Sequence, residues 1–133
     1  DPWAMDKAQI STLLRSLCGD ADIIVIEGVM GLFDGPDGAA GSTADLASSL
    51  GLPVILAVDA RHQAQSIAAL VHGFSTFRPD VTVAGVLLNR VASDRHAAIL
   101  HGALGHKVLG TLRHDDSLVL PSRHLGLVQA EEM

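Results

Sequence analysis

Apolar and polar residues fall in blocks that predict helices and short buried strands in turn. Ile10, Leu13, Leu14, Leu17 and Cys18 recur at helical spacing, which predicts a helix over residues 5–18. An uninterrupted apolar run, Ile23 to Ile26, then ends in Glu27 and reads as a strand over 23–27 buried on both faces. The loop 28–41 is long and rich in Gly and Asp, the marks of a binding loop. Ser42 with Asp45 three residues on is a capping-box pattern, opening a short helix to Leu50 that Gly51 stops. Val54 to Val58 predicts a second strand. Ile67, Leu70, Val71, Phe74 and Phe77 form one apolar helix face. Val81 to Leu88 predicts a third strand, Ser93 or Asp94 caps a helix to about Leu104, and Val108 to Leu112 is a short fourth strand. The remainder reads as loop.

This alternation predicts an α/β fold, a parallel sheet with flanking helices. Glu27, Asp59 and Asn89 each follow a strand, so the three are expected along one edge of the sheet. Ligands of open α/β sheets bind outside the carboxyl ends of the strands. Gly28, Gly31 and Gly35 allow tight turns and close approach of backbone to a ligand just past Glu27.

Composition narrows the classes. The 133 residues allow one domain of ordinary size, and the hydrophobic content of 48% supports a core, which is aliphatic because aromatics are only 3%. No apolar run approaches the roughly 18 residues of a membrane span, and Asp1 and Asp6 stand where a signal peptide has basic residues. The single Cys18 excludes an internal disulfide, fits a reducing cytoplasm and reads as a packing residue within its helix. A net charge of −6 argues against a nucleic-acid partner. It also requires that any bound polyanion be offset locally by Arg or a cation. The seven His residues show no metal-ligand spacing: His96, His101 and His106 are five apart, on different faces of a helix.

A phosphate cradle of the form G-x-x-x-x-G-K-[ST] is absent. The loop Gly35 to Thr43 imitates it without a lysine, and the only lysines are Lys7 and Lys107.

The segment Glu27-Gly-Val-Met-Gly-Leu-Phe-Asp34-Gly35 resembles the Glu-Gly-x-Met-Gly-Leu-Phe-Asp-Gly segment of cobyrinic acid a,c-diamide synthases, enzymes that amidate corrin precursors of cobalamin. Ser42-Thr-Ala-Asp45-Leu-Ala, Pro53 to Ala60, Gly85 to Val91 and Leu120 to Leu127 are similar to further segments of that family, in family order. The middle two recur in related ATP-using enzymes such as dethiobiotin synthetase. The resemblance implies a P-loop NTPase-like, dethiobiotin-synthetase-like fold without its phosphate-loop strand. It also implies that this chain is part of a synthetase domain, with the phosphate loop upstream and a glutaminase domain downstream. The implied reaction uses ATP and Mg2+ to phosphorylate a carboxylate of a corrin-type polycarboxylate, which ammonia from glutamine then attacks.

By resemblance Glu27 is the magnesium ligand, its alternative being a polar strand end facing water, and Asp34 positions the substrate or its activated form. The alternative for Asp34 is an Asx-turn beside Gly35. Asp59 either binds magnesium through water or caps the segment from Ala60. By the same resemblance Asn89 reads the adenine edge, which an amide can do because it both donates and accepts, or else it is a turn-forming loop residue; Arg90 either stacks on the base or is solvated. Ser122, Arg123 and His124 are expected to grip substrate carboxylates, Arg123 bidentately, or else to be a surface loop. Two other classes compete. A partitioning-type ATP switch shares the sheet but calls for a basic surface, against which the acidic balance speaks; the other is a folded piece without catalysis. An exposed sheet edge would make a homodimer a candidate assembly.

Overall fold

The computed structural model describes residues 5–36, 41–118, 122–123 and 126–127. Among the described residues four α-helices are formed: α1 Lys7–Leu17, α2 Thr43–Leu50, α3 Ile67–Thr76 and α4 Asp94–Leu104. Three strands, β1 Val54–Asp59, β2 Val83–Val91 and β3 Val108–Arg113, build one sheet in the order β1-β2-β3. The strands run parallel, each crossover carried by a helix, so the fold is α/β. A two-residue antiparallel ladder, β4 Ser122–Arg123 with β5 Gly126–Leu127, lies where only loop was expected.

Local chemistry explains the helix boundaries. Asp6 caps α1 in a full capping box with Gln9. Ser42 and Asp45 do the same for α2, as their spacing predicts, and α2 stops at Gly51, whose φ of 66° is left-handed. Ser93, not Asp94, caps α4, accepting from the His96 amide. Cys18 does not pack inside α1: it is the half-buried C-cap, its amide donating to Leu14. The apolar face of α3 is split, with Ile67 and Val71 buried and Phe77 exposed at its C-terminal end.

The largest departure from the sequence concerns Glu27. The run 23–27 forms no strand, and Ile23 and Val25 are 82% and 87% exposed. An apolar run becomes a strand only through a neighbour's backbone, which must satisfy its N–H and C=O groups. Among the described residues no strand pairs with it. Glu27 therefore ends an apolar segment that is not a sheet strand among the described residues. The third predicted strand also runs on past Asn89, ending at Val91 instead of Leu88.

The chain divides into two compact units, Asp1–Leu56 with Val71–Gly85, and Ala57–Leu70 with Val86–Met133. The first unit has a core of Leu32, Ala44 and Val81, against which Phe33, Val54, Phe74 and Val83 pack. In the second, Ala60, Ile67, Val86, Leu88, Val91 and Leu100 are fully buried.

Candidate functional site

In the first unit the loop after Glu27 is held on the N-terminal turn of α2. Leu32 C=O accepts from the Ala44 amide at 2.8 Å, and both residues are buried. Gly28 lies against Thr43 so closely that a Cβ there would stand 2.5 Å from Thr43 Oγ1. Gly35 approaches the backbone of Ser42, where a Cβ would meet its nitrogen at 3.2 Å. Phe33 fixes the other side of the loop, stacked on Phe74 at 5.7 Å between centroids and tilted against Phe77 at 4.8 Å. Leu32 and Phe33 thus anchor the loop and leave the next residue, Asp34, exposed. Its amide closes a tight turn to Gly31 C=O at 3.0 Å, and its carboxylate lies over Gly31, where a Cβ would be 2.2 Å from Oδ2. The turn at Asp34 is made by its backbone and leaves the carboxylate exposed.

Glu27 is exposed. Among the described residues no cluster of three carboxylate, His or Cys side chains is arranged to hold a metal. Glu27 alone offers one carboxylate, so any Mg2+ it held would take its remaining ligands from phosphate oxygens and water.

The same turn of α2 carries a charge network of which the sequence pattern revealed only the cap. Asp45 Oδ2 accepts from the amides of Gly41 and Ser42 and from Ser42 Oγ, at 2.9, 3.0 and 2.8 Å. Its Oδ1 accepts from Arg78 Nη1 at 2.6 Å, and the same guanidinium grips both oxygens of Asp80. The Arg78 hydrogen bond and those of Gly41 and Ser42 hold the Asp45 carboxyl well below the usual carboxylate range. Arg78 likewise lowers Asp80. No sequence signal marks the pairing of Arg78 with Asp45, which lies 33 positions away.

In the second unit the ends of β1 and β2 come together. Ala60 N–H donates to Asn89 C=O at 2.8 Å, which sets Asp59 beside Asn89 and Arg90. Asp59 takes three hydrogen bonds from the Arg61 guanidinium and one from the Arg61 amide at 3.0 Å. Arg90 Nη1 adds a fourth guanidinium contact at 3.2 Å. These arginines, Arg61 foremost, lower the Asp59 pKa to about 2. The carboxylate takes the capping position for the segment after β1, one of its two sequence alternatives, and pairs with two arginines while doing so. Arg61 was not singled out from the sequence.

Asn89 and Arg90 occupy a bulge: β2 advances from Leu88 to Val91 while β3 advances only from Thr111 to Arg113. Arg90 takes a left-handed φ of 58°, its amide donating to Asn89 Oδ1 at 2.9 Å. His62, in the connection after β1, is the other left-handed non-glycine residue among those described, at 60°. Such conformations persist where surrounding structure enforces them. Here His96 supplies one tie: its Nε2 bonds Gln63 C=O at 2.8 Å, and its Nδ1 accepts from the Ala92 amide. With Nδ1 an acceptor, Nε2 carries the proton. His96 is thus a structural bridge between these two segments.

Glu27 and Asp34 lie in the first unit, Asp59, Asn89 and Arg90 in the second. Ser122 and Arg123 pair with Leu127 and Gly126, and His124 lies outside the described residues.

Comparison with known proteins places the chain. A family model described as an AAA domain matches residues 2–122. The chain is 57% identical to a hydrogenobyrinate a,c-diamide synthase of Brucella suis over 99% of its own length and 31% of that protein's. Proteins of the same name from Rhizobium meliloti and Stutzerimonas stutzeri are 50% and 47% identical, over 99% and 100% of this chain and 32% and 30% of theirs. The chain therefore spans about a third of the length of the curated relatives it matches. No solved structure matches it.

Proposed function

The chain belongs to the AAA-domain family, and from that premise we propose that it is part of an ATP- and glutamine-dependent amidoligase in cobalamin biosynthesis. The reaction converts the a and c carboxylates of hydrogenobyrinate, or of its cobalt-bearing counterpart, to amides. The likeness to the Brucella suis synthase, which runs over nearly the whole chain and not one motif, carries the reading. The anchored loop that presents Asp34 fits it, and no observation favours a partitioning-type switch.

In this reading a substrate carboxylate oxygen attacks the γ-phosphorus of ATP, ADP leaves, and ammonia then displaces phosphate from the acyl carbon. Phosphoryl transfer is catalysed chiefly by positioning and charge neutralisation. Glu27 would hold Mg2+, which supplies positive charge against the phosphates. Asp34 orients the carboxylate that is activated, Asn89 reads the adenine edge, Arg90 stacks on the base, and Asp59 contacts the magnesium through water. Ser122, Arg123 and His124 hold further carboxylates of the corrin. A glutaminase domain of the same parent chain delivers ammonia, and the protein works in the cytoplasm, where Cys18 stays reduced. A homodimer is the assembly we assign to it.

The test is made on the full-length protein. Glu27→Gln should lower kcat for amide formation by roughly a hundredfold or more, with the fold intact. A rate unchanged across a magnesium titration would remove the metal assignment. A wild-type protein that forms no amide from hydrogenobyrinate, ATP and glutamine would overturn the function itself.

A further inference from the structure

We propose that Arg78 and Asp45 are positioning residues for the loop that carries Asp34. The inference rests on the functional reading for its kinetic consequence and on geometry alone for its structural one.

The chain of contacts is continuous and lies within one unit. Arg78 stands after α3 and spans two carboxylates, Asp45 through Nη1 and Asp80 through Nε and Nη2. Asp45 is the third residue of α2, and its other oxygen gathers the Gly41 and Ser42 amides and Ser42 Oγ. Ser42 Oγ in turn accepts from the Asp45 amide. Positions 41 to 45 are therefore locked by one carboxylate that one guanidinium holds in place. The residues so locked are those on which the loop is seated: Ser42 beneath Gly35, Thr43 beneath Gly28, and Ala44 hydrogen-bonded to Leu32.

The capping box alone would need only Asp45 and Ser42. Arg78 adds a tie 33 positions away in sequence, from the segment that follows the ring-bearing Phe74 and Phe77. Phe33 packs on both rings, so Arg78 and the aromatic cluster brace the same loop through α2 on one side and α3 on the other. Both members of the pair are about 30% exposed, so the bond is shielded enough to be held yet forms no part of a closed core. Neither Arg78 nor Asp45 touches the Asp34 carboxylate. Their influence passes through the seat of the loop.

Four variants of the full-length protein test this: Arg78→Met, Arg78→Lys, Asp45→Asn and the double Asp45→Asn/Arg78→Met. Arg113→Met, which breaks the exposed pair with Asp94 in the other unit, is the control. Two readouts are taken. The first is amide hydrogen exchange over residues 28–36. Arg78→Met and Asp45→Asn should speed it roughly fivefold or more, and Arg113→Met should leave it unchanged. The second is steady-state amidation. Arg78→Met should lower kcat by roughly ten- to a hundredfold with the KM for ATP within about twofold, because misplaced reacting groups slow chemistry more than binding. Arg78→Lys, which keeps the charge but lacks the planar fork that reaches Asp45 while gripping both oxygens of Asp80, should fall between. The double variant should be no slower than the slower single, since both remove one device.

Unchanged exchange over 28–36 in both single variants overturns the proposal whatever the reaction. Faster exchange with kcat retained, or with loss confined to KM, overturns the kinetic part. Amidation absent from the wild type with exchange behaving as expected counts against the functional reading and leaves the structural tie standing. If Arg78→Met does not fold, Asp45→Asn and Arg78→Lys decide the outcome on the same readouts.

Discussion

At the scale of the residue, Asp34 concentrates the chemistry expected of this chain. Its main chain closes the turn to Gly31, and its exposed carboxylate is free of the cap and ion-pair duties that occupy Asp45 and Asp59. Asp34→Asn retains size and turn-forming capacity. In the full-length protein it should depress amide yield at least tenfold while ATP affinity stays within about twofold, since only an interaction made with the reacting carboxylate is lost. Calorimetry for the nucleotide and mass spectrometry for the product make the paired measurement. Normal yield would leave Asp34 as a turn former, and loss of nucleotide binding would assign it to the scaffold. The motif made Asp34 visible in the sequence. Arg61 and Arg78 were not visible, because an arginine declares its partner only when folding brings a carboxylate within reach of its fork.

At the scale of the element, the seat of the loop on α2 depends on an absent side chain. Gly28 does not need a left-handed φ; it needs the space that Thr43 occupies. Gly28→Ala should therefore cost about 1–3 kcal/mol through overpacking, read as a lowered urea midpoint with unchanged slope. Thr43→Ala removes Oγ1 and Cγ2, which a new Cβ would meet at 2.5 and 2.8 Å, and in the double variant should recover most of the loss. Additive losses would show that the two residues do not share one contact. Helices were legible at this scale because caps are local: Asp6 with Gln9, Ser42 with Asp45, and Ser93 each lie within three residues of the group they satisfy. The strand expected over 23–27 was not, because its existence depends on a partner that hydropathy does not name.

At the scale of the molecule, three carboxylates tie distant segments through arginine: Asp45 and Asp80 through Arg78, Asp59 through Arg61 and Arg90. All three have pKa values depressed in the folded state, Asp59 to about 2. A depressed carboxyl pKa contributes stability that is fully present above the unfolded value near 4 and is lost as pH falls through the folded value. Stability from these pairs should hold from neutral pH down to about 5 and decline below about 4, as followed by urea midpoints. Arg78→Met should flatten that acid decline, because Asp45 and Asp80 would then titrate closer to their unfolded values. A decline of the same steepness in the variant would mean that other groups govern acid unfolding. No helix among the described residues is long and apolar enough to cross a membrane, in line with the hydropathy of the sequence.

The sequence by itself determined whatever depends on neighbours along the chain. Periodicity placed α1 to α4, the βαβ alternation required a parallel sheet, and the Glu27–Gly35 motif marked a loop built for close approach. It also brought Asp59 and Asn89 to the ends of adjacent strands, though not the bulge at Asn89 and Arg90 or the left-handed turn of His62. Only the tertiary structure decided the long-range pairings: which carboxylates are neutralised and by which arginine, that Phe33 rests on α3, that His96 bridges Gln63 and Ala92, and that the apolar run before Glu27 stays unpaired. The physical reason is one of range. Propensity, capping and turn chemistry act over a few bonds and leave their pattern in residue order, whereas a salt bridge, a ring stack or a β-ladder exists only once packing has brought remote groups within a few ångströms.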